Sequence, residues 1–486
     1  MIPNRSWRGV LVAAILALIV NTIGNAFAGN QSSEKAPPRA ALEAGVAAVE
    51  ITAPKGYRMS GYFNERLNTG THDPLEAKAV VFRQGGRQAA FVFCDLIGIP
   101  PTVSGPAREL AAQKTGIPAS GILIHGTHSH TGPLFYGALR NHFHSLAVEK
   151  HGTDPHEEID YPAFLVQRIV EAVAQAHAAA QPVQLRSGIA MQRGLSFNRR
   201  FHMKDGSVRF NPGKLNPDIV RPCGPIDPDV GILLLQSPVG EQNLAALCVF
   251  PLHLDTVGGT EYSADYPFYL ERNLRTKLGN KFVSLFGNGT CGDINHVDVT
   301  SNVRQSGQDE SARIGAALAD TVQQAIPKLQ PLAEPKLAAK NAIVSIPLQQ
   351  FAPEEVVQAK RDIFKVGTSE LSFLDQVKAT KIVGAQLRQS AEIPLEVQVF
   401  RLSDRLAIVG LPGEVFVELG LAIKRGSPFP ETLVIELCND NPAYVPTKKA
   451  FAEGSYETVN SLVQPGGGEM LVEAALRLLK ELKATQ

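Results

Sequence analysis

Residues 121–133, GILIHGTHSHTGP, join an apolar run to a loop that carries two histidines. The apolar run predicts a buried strand over Gly121–His125, because short runs of this kind occur in the interior of sheets. His128 and His130 follow in the loop, and residues two apart on extended backbone point to the same side. Neutral imidazole is the commonest metal ligand. The pair therefore indicates a metal or catalytic site, with a role as polar loop residues equally open.

Four further stretches place polar side chains directly after an apolar run. In each of them a plain structural role, as a core residue, a turn or a charge at a helix end, competes with a functional one. The stretches are Phe250–Asp255 (FPLHLD), Phe286–His296 (FGNGTCGDINH), Leu411–Glu414 (LPGE) and the segment from Cys438 to Tyr456 with its spaced tyrosines. His142 and His144 repeat the HxH spacing in more polar sequence, and we expect them on a surface loop.

The composition of the 486-residue chain is that of an ordinary globular protein. It contains 47 Lys and Arg residues and 47 Asp and Glu residues, so its formal net charge is zero. Proteins that bind nucleic acids usually carry a basic excess, and we expect no nucleic-acid partner. Hydrophobic residues make up 44% and charged residues 19% of the chain. These fractions exclude disorder or coiled coil as a description of the whole chain.

The N-terminus predicts a signal peptide over residues 1–28. Two arginines lie in the first eight residues, an apolar run follows, and Ala26–Ala28 (AFA) is a small-x-small cleavage site. A membrane anchor is the alternative interpretation, but the run is short for a span of roughly 20 residues. We expect cleavage near Ala28 and export of residues 29–486 to the periplasm or the outside of the cell.

Five cysteines lie far apart in the sequence and form no CxxC pair. They are Cys94, Cys223, Cys248, Cys291 and Cys438. An odd number in an exported protein leaves at least one thiol unpaired. We expect the cysteines to be small buried residues, with one disulfide left open.

Apolar, β-branched runs alternate with helix-like segments along the chain, and this predicts an α/β or α+β architecture. The predicted strands are Ala77–Phe82, Ala89–Asp95, Gly121–His125, Val230–Leu235, Leu244–Pro251, Phe282–Phe286, Val397–Leu402 and Leu433–Leu437. The predicted helices are Tyr161–Ala180, Asp265–Leu278, Glu310–Leu329, Pro353–Lys365, Glu414–Arg425 and Glu469–Lys483. Residues 330–345 are the best candidate for a hinge between two lobes.

Taken in order along the chain, the five stretches resemble the neutral/alkaline non-lysosomal ceramidase family, whose members are zinc-dependent N-acyl sphingosine amidohydrolases. THSHTGP (127–133) is similar to the family's THTHSGP, PLHLD (251–255) to its strand ending in a histidine, and LPGE (411–414) to its PGE turn. CGDINH (291–296) falls where the family has a GDVSPN-like segment. The segment from Cys438 to Tyr456 keeps the family's CN…Y…Y spacing.

The resemblance implies both a fold and a set of site residues. The fold is a large catalytic domain of α/β (mixed α+β) type, with mixed sheets flanked by helices, over residues 29–486. The implied zinc ligands are His128, His253, Glu414 and Tyr444. The implied catalytic residues are His130 beside the metal, Arg199, Tyr456 near the reacting amide, Asp293 or Asp255 as an acid that transfers a proton, and Asn295 as a hydrogen-bonding group.

The function implied by the resemblance is hydrolysis of an amide bond outside the cytoplasm, which would place the protein in sphingolipid metabolism. Zn²⁺ would lower the pKa of a water molecule towards about 7 and so make hydroxide available at neutral pH. Arg199 and the Tyr456 hydroxyl would stabilise the developing oxyanion. The expected partner is a small-molecule or lipid amide substrate, and a peripheral contact with a membrane stays open.

Two departures from the family bear on the substrate. The serine of the family's GDVSPN segment, proposed there as a nucleophile, falls on Asn295, so we expect no acyl-serine route. We also expect the chain to lack the C-terminal immunoglobulin-like domain that ceramidases append. Two alternatives therefore stay open, namely a zinc hydrolase of a non-lipid amide or ester, and a degenerate family member that binds without catalysis.

Overall fold

The computed structural model describes residues 41–239 and 242–485. The predicted signal peptide and the segment 29–40 that follows it lie outside the described residues. Within the described part, no helix is long and apolar enough to cross a membrane.

The described chain contains eight strands of eight residues or more, and its other strands are shorter. They are β1 Glu43–Glu50, β2 Gly70–Thr71, β3 Glu76–Gln84, β4 Arg87–Cys94, β5 Ile122–Gly126, β6 Gln181–Pro182, β7 Gln184–Met191, β8 Phe197–Asn198, β9 Arg200–Met203, β10 Val208–Phe210, β11 Ile219–Pro222, β12 Asp229–Gln236, β13 Asn243–Phe250, β14 Glu261–Tyr262, β15 Val283–Asn288, β16 Ile294–Asn295, β17 Gln330–Pro331, β18 Pro335–Pro347, β19 Glu392–Ser403, β20 Leu406–Gly410, β21 Glu414–Val415, β22 Glu431–Ile435 and β23 Tyr444–Val445.

Eleven α-helices lie between these strands in the described residues. They are α1 Pro101–Thr115, α2 Gly137–His151, α3 Tyr161–Ala178, α4 Tyr266–Leu278, α5 Gln308–Ala325, α6 Pro353–Asp362, α7 Phe373–Leu387, α8 Val417–Gly426, α9 Lys448–Glu453, α10 Tyr456–Val459 and α11 Gly467–Ala484.

Three mixed sheets form the framework. Their strand orders are β5-β4-β3-β1-β6, β15-β13-β12-β7-β17 and β18-β19-β20-β22. Each sheet contains one parallel pair among antiparallel neighbours, namely β4 with β5, β13 with β15, and β20 with β22. The α/β (mixed α+β) class predicted from the sequence, with mixed sheets flanked by helices, is confirmed.

The three sheets share one central core. Alternate side chains on a strand point to opposite faces, and one face of each sheet contributes to a common cluster that includes Phe91, Leu233 and Phe400. The rings of Phe91 and Phe400 meet edge to face, with 4.7 Å between their centroids. The opposite faces bury separate clusters, which bring in helices α1 and α3, helices α4 and α5, and helices α8 and α11 respectively.

The sequence patterns located the main elements well. Every predicted strand and helix overlaps one in the structure, although several ends differ by two to five residues. The difference that bears on the site is at the start of the helix predicted over Glu414–Arg425. Glu414 lies instead in β21, which pairs with β23, and α8 begins at Val417. The candidate hinge falls on β17 and β18, which pair with β7 in one sheet and with β19 in another. A division into two lobes stays a prediction.

The cysteines follow the expectation from the sequence. All five are unpaired and buried in the structure. The disulfide that the sequence left open is therefore absent from the described residues.

We expect Phe91→Ala to lower the free energy of unfolding by about 3–5 kcal/mol, because it opens a cavity where two sheets meet. Urea unfolding followed by circular dichroism measures this change. Phe364→Ala is the matched control, because Phe364 is 67% exposed and surface substitutions usually change stability by less than about 0.5 kcal/mol. Equal effects of the two changes would contradict the shared core.

Candidate metal centre

The predicted site residues come together beyond the carboxyl ends of the parallel strand pairs. His128 follows β5, His253 follows β13, and Glu414 follows β20. Ligands of open α/β sheets commonly bind at this end of the strands. Each of the three sheets therefore delivers one of these side chains to the same region.

Backbone pairing between loops fixes how the side chains approach each other. Ser129 pairs with Leu254 in a parallel bridge, and the amide of His130 donates to the carbonyl of Leu254 at 3.1 Å. The amide of Gly292 donates to the carbonyl of Val415 at 2.9 Å, and a Cβ on Gly292 would lie 2.5 Å from the backbone oxygen of Glu414. Only glycine allows this close approach.

His128 occupies a backbone conformation that is uncommon for residues other than glycine. Its φ of 74° lies in the left-handed region, where a residue with a Cβ is strained by roughly 1–3 kcal/mol. The conformation is held by the hydrogen bond from the His128 amide to the carbonyl of Leu96 at 2.8 Å. Strain of this kind is concentrated at functional sites.

Two imidazoles and one carboxylate converge on a single point. Oε2 of Glu414 lies 3.3 Å from Nε2 of His128 and 3.4 Å from Nε2 of His253. Two ligand atoms that each lie 2.0–2.2 Å from one tetrahedral ion are roughly 3.3–3.6 Å apart. The observed separations match this spacing.

The hydrogen-bond partners of these groups also fit a metal site. Nδ1 of His128 donates to the carbonyl of Ile97 at 2.8 Å, and Nδ1 of His253 donates to the carbonyl of Cys291 at 2.9 Å. These bonds leave Nε2 of each ring without a proton, as metal-binding histidines require. Nε2 of His253 and Oε2 of Glu414 are buried and have no hydrogen-bond partner. Such atoms are costly unless something binds them, and the donor set suits Zn²⁺.

Tyr444 and Tyr456 form the next layer of the site. The rings of Tyr444 and His253 are nearly parallel, at 8°, with centroids 6.4 Å apart. The rings of Tyr444 and Tyr456 meet at 5.4 Å, and the Tyr456 hydroxyl accepts a hydrogen bond from Nδ2 of Asn460 at 3.1 Å. Burial raises the pKa of Tyr456 to about 12 and raises that of Tyr444 well above its ordinary value. The role of Tyr444 as a ligand stays a prediction.

His130 differs from the two other histidines in its contacts. Its Nε2 lies 3.3 Å from Nε2 of His128, and nitrogens of His128, His130 and His253 all lie within 4.8 Å of one another. Unlike the other two, His130 makes no hydrogen bond from its ring to a backbone carbonyl of the described chain. Burial and the neighbouring His128 lower its pKa well below the ordinary value. The ring is therefore neutral at pH 7.

Arg199 is buried and held from several sides. Its Nε donates to Glu457 at 3.0 Å and its Nη2 donates to the carbonyl of Gly292 at 2.8 Å. The guanidinium carbon lies 5.3 Å from the centroid of Tyr444 and 5.9 Å from that of Tyr456. Nη1 has no partner among the described residues, and Arg199 borders the cavity at this site. That nitrogen is therefore available to a ligand.

A cavity of about 460 Å³ lies next to the converging side chains. Its lining combines aromatic rings with charged and polar groups. The lining residues are Gly61, Tyr62, Phe63, Asn64, His130, Arg199, Phe210, Asp255, Gly367, Thr368, Phe373, Gln376, Tyr444 and Tyr456. The volume lies within the range of small-molecule sites, about 300–1,000 Å³.

Two of the predicted catalytic residues are not at this cavity. The carboxylate of Asp293 accepts hydrogen bonds from the amide of Val417 and from Nδ2 of Asn198, each at 2.8 Å. Asn295 is buried, and its Nδ2 donates to Asn211 at 3.0 Å while its Oδ1 accepts from the amide of Val297 at 3.1 Å. Their groups are satisfied within the protein, so these positions support structural roles.

The structure instead brings Asp255 to the cavity, held by a histidine that sequence reasoning missed. Nδ1 of His296 donates to Asp255 at 3.0 Å and Nε2 of His296 donates to the carbonyl of Gln305 at 2.8 Å. Because both partners only accept, His296 is an imidazolium paired with an ionised Asp255. Burial acts to lower the pKa of His296, but Asp255 outweighs it and the pKa is raised. No sequence signal links the two residues, which lie 41 positions apart.

His142 and His144 lie on α2, so the prediction that they belong to a surface loop is wrong. Nδ1 of His144 lies 2.8 Å from Asp154, and Glu157 is close enough to complete a potential metal-binding group. However, Arg58 contacts both carboxylates and Arg140 contacts Glu157. The arginines already neutralise this cluster.

We expect His296→Gln to remove a pH-dependent part of the stability. A raised pKa means that the ion pair stabilises the fold fully below about pH 6.5 and loses this effect as the pH rises through the folded-state pKa. The free energy of unfolding of the wild type should therefore exceed that of the variant most at about pH 6, and this difference should be smaller at about pH 9. Urea unfolding of both proteins at the two pH values measures it. A difference that does not change with pH would contradict the ion pair.

Comparison with solved structures shows that the chain has a known fold. Neutral ceramidase from Pseudomonas aeruginosa is 20% identical over 91% of this chain and 75% of its own, with a TM-score of 0.70. A ceramidase complexed with C2 is 18% identical with the same coverage and a TM-score of 0.68. No protein-family model and no curated protein matches the chain. The chain thus has the fold of the neutral ceramidases, as the resemblance in sequence predicted.

Proposed function

We propose that the protein is an exported zinc-dependent hydrolase that cleaves an amide bond in a ceramidase-like site. The observation that carries the proposal is the convergence of two imidazole nitrogens and one carboxylate oxygen, two of them buried without a hydrogen-bond partner. The fold shared with the solved ceramidases supports the same reaction class. Export rests on the signal-peptide pattern in residues 1–28.

The residues that would hold Zn²⁺ are His128, His253 and Glu414, with Tyr444 as the fourth. When bound, zinc polarises a carbonyl oxygen and acidifies a water molecule, which supplies hydroxide at neutral pH. A water nucleophile also fits the cavity, because no serine or cysteine is among its described lining residues.

The protein's own groups then bind and stabilise the reacting amide. His130 is neutral and borders the cavity, so its imidazole is able to accept a proton and return it to the departing nitrogen. Nη1 of Arg199 and the hydroxyl of Tyr456 are donors for the oxygen on which negative charge develops. Because burial raises the pKa of Tyr456 to about 12, its hydroxyl keeps its proton at neutral pH.

We expect His128→Ala and Glu414→Ala each to lose bound zinc and amide hydrolysis, because each removes one of the converging donors. Zinc content by elemental analysis and turnover of an N-acyl substrate measure the two effects. His177→Ala is the matched control, because His177 lies on α3 and contacts Gln88 away from the site. Variants that retained both zinc and activity would contradict the assignment.

A second candidate function, hydrolysis of a non-lipid amide or ester, is favoured by the cavity lining. None of the described lining residues is Leu, Ile, Val or Met. Arg199 and Asp255 instead place charges on the wall, and an alkyl chain lying against them would remove water from these groups without replacing its hydrogen bonds. The charges on the wall therefore favour a short or polar acyl group, while the six aromatic residues among the fourteen that line the cavity provide apolar surface for the rest of the substrate.

We expect the catalytic efficiency, kcat/KM, to fall as the acyl chain is lengthened from N-acetyl to N-palmitoyl on one fixed amine. An enzyme that buries the chain would gain about 0.8 kcal/mol for each methylene, roughly fourfold in kcat/KM. Assays of the series as monomers below their aggregation limits measure the trend. A steady increase up to palmitoyl would favour a lipid substrate.

A further inference from the structure

Glu436 is a buried acid just beyond the end of β22, close to the candidate metal centre but outside it. Its side chain is fully buried. Oε2 accepts hydrogen bonds from the amide of Val415 at 2.6 Å and from the amide of Cys291 at 3.1 Å. Oε1 lies 3.0 Å from Sγ of Cys291. One carboxyl group therefore holds two separate segments of the chain.

Each of these segments carries or holds a proposed zinc ligand. Val415 directly follows Glu414, and the carbonyl of Cys291 accepts the Nδ1 proton of His253 at 2.9 Å. A shift of either segment would move Oε2 of Glu414 relative to Nε2 of His253, whose separation is 3.4 Å. Glu436 thus links the carboxylate ligand to one of the two imidazole ligands, in addition to the backbone hydrogen bond from Gly292 to Val415.

Glu436 differs from the other buried glutamates of the described chain in its partners. Each of the others has a cationic or histidine partner, as Glu431 has Arg405, Glu457 has Arg199, and Glu271 has Lys78. Glu436 forms no ion pair, and its contacts are with backbone amides and a thiol. Burial raises its pKa well above the ordinary value. Glu436 therefore contributes a hydrogen-bond acceptor oxygen at a fixed position beside the site.

We propose that Glu436 is a positioning residue, which fixes the spacing between Glu414 and His253 through the amide of Val415 and the backbone of Cys291. The inference rests on the zinc site proposed above. Outer groups that orient metal ligands typically contribute about 10–100-fold to metal affinity. The same range is expected for Glu436.

The test is the zinc dissociation constant of the full protein, measured by competition with a chelator of known affinity. Glu436→Asp withdraws the carboxyl by one methylene, and we expect zinc binding to weaken by about 10–100-fold. Glu436→Gln keeps an acceptor oxygen at the same distance from the backbone. We expect its zinc affinity to equal that of the wild type to within about threefold, because the amides of Val415 and Cys291 need only an acceptor. Circular dichroism of the metal-free proteins checks that they are folded.

Glu431→Asp is the matched control, because Glu431 is a buried acid on β22 whose contacts are with Ser187 and Arg405. We expect it to keep the wild-type zinc affinity even if it unfolds more easily. Glu436→Ala replaces Glu436→Asp if the latter does not fold. Wild-type affinity in the folded shortened variant, or an equal loss in Glu436→Gln, would overturn the positioning role. A wild-type protein that binds no zinc would instead overturn the proposed function.

Discussion

The structure depends on three sheets packing against one another through a single apolar core. The shared core, which includes Phe91, Leu233 and Phe400, holds the sheets together on their inner faces. As a result, the carboxyl end of one parallel strand pair from each sheet opens towards the same region. Three polar side chains that follow these strands then meet in the interior, where water cannot satisfy them.

The electrostatics of the site follow from that burial. A buried carboxylate is stable only when its charge is balanced, and a divalent cation held between Glu414 and its two histidines would supply that balancing charge. Burial and Arg199 lower the pKa of His253 to about 4, so its imidazole is neutral at pH 7. Neutral imidazoles and an ionised carboxylate are the states in which these groups bind a divalent cation.

The cavity beside the centre has a mixed character that bears on its chemistry. Its aromatic walls would pack against a ligand, while Arg199, Asp255 and His130 present polar atoms at fixed positions. Asn295, the position at which the sequence resemblance led us to expect no nucleophilic serine, has an amide that is satisfied within the protein. The residue at position 295 therefore does not supply a nucleophile. The polar groups of the cavity wall would instead bind the polar part of a substrate.

The sequence by itself determined the main strands and helices, because alternation of apolar residues over two or about four positions reports which face of an element is buried. It also singled out His128, His253 and Glu414 through motifs that resemble a known family. Only the tertiary structure decided that Asp255 and His296 form an ion pair, that Asp293 and Asn295 are not among the residues that line the cavity, and that Glu436 links two ligand segments. These outcomes depend on contacts between residues far apart in the chain, and no local pattern encodes such contacts.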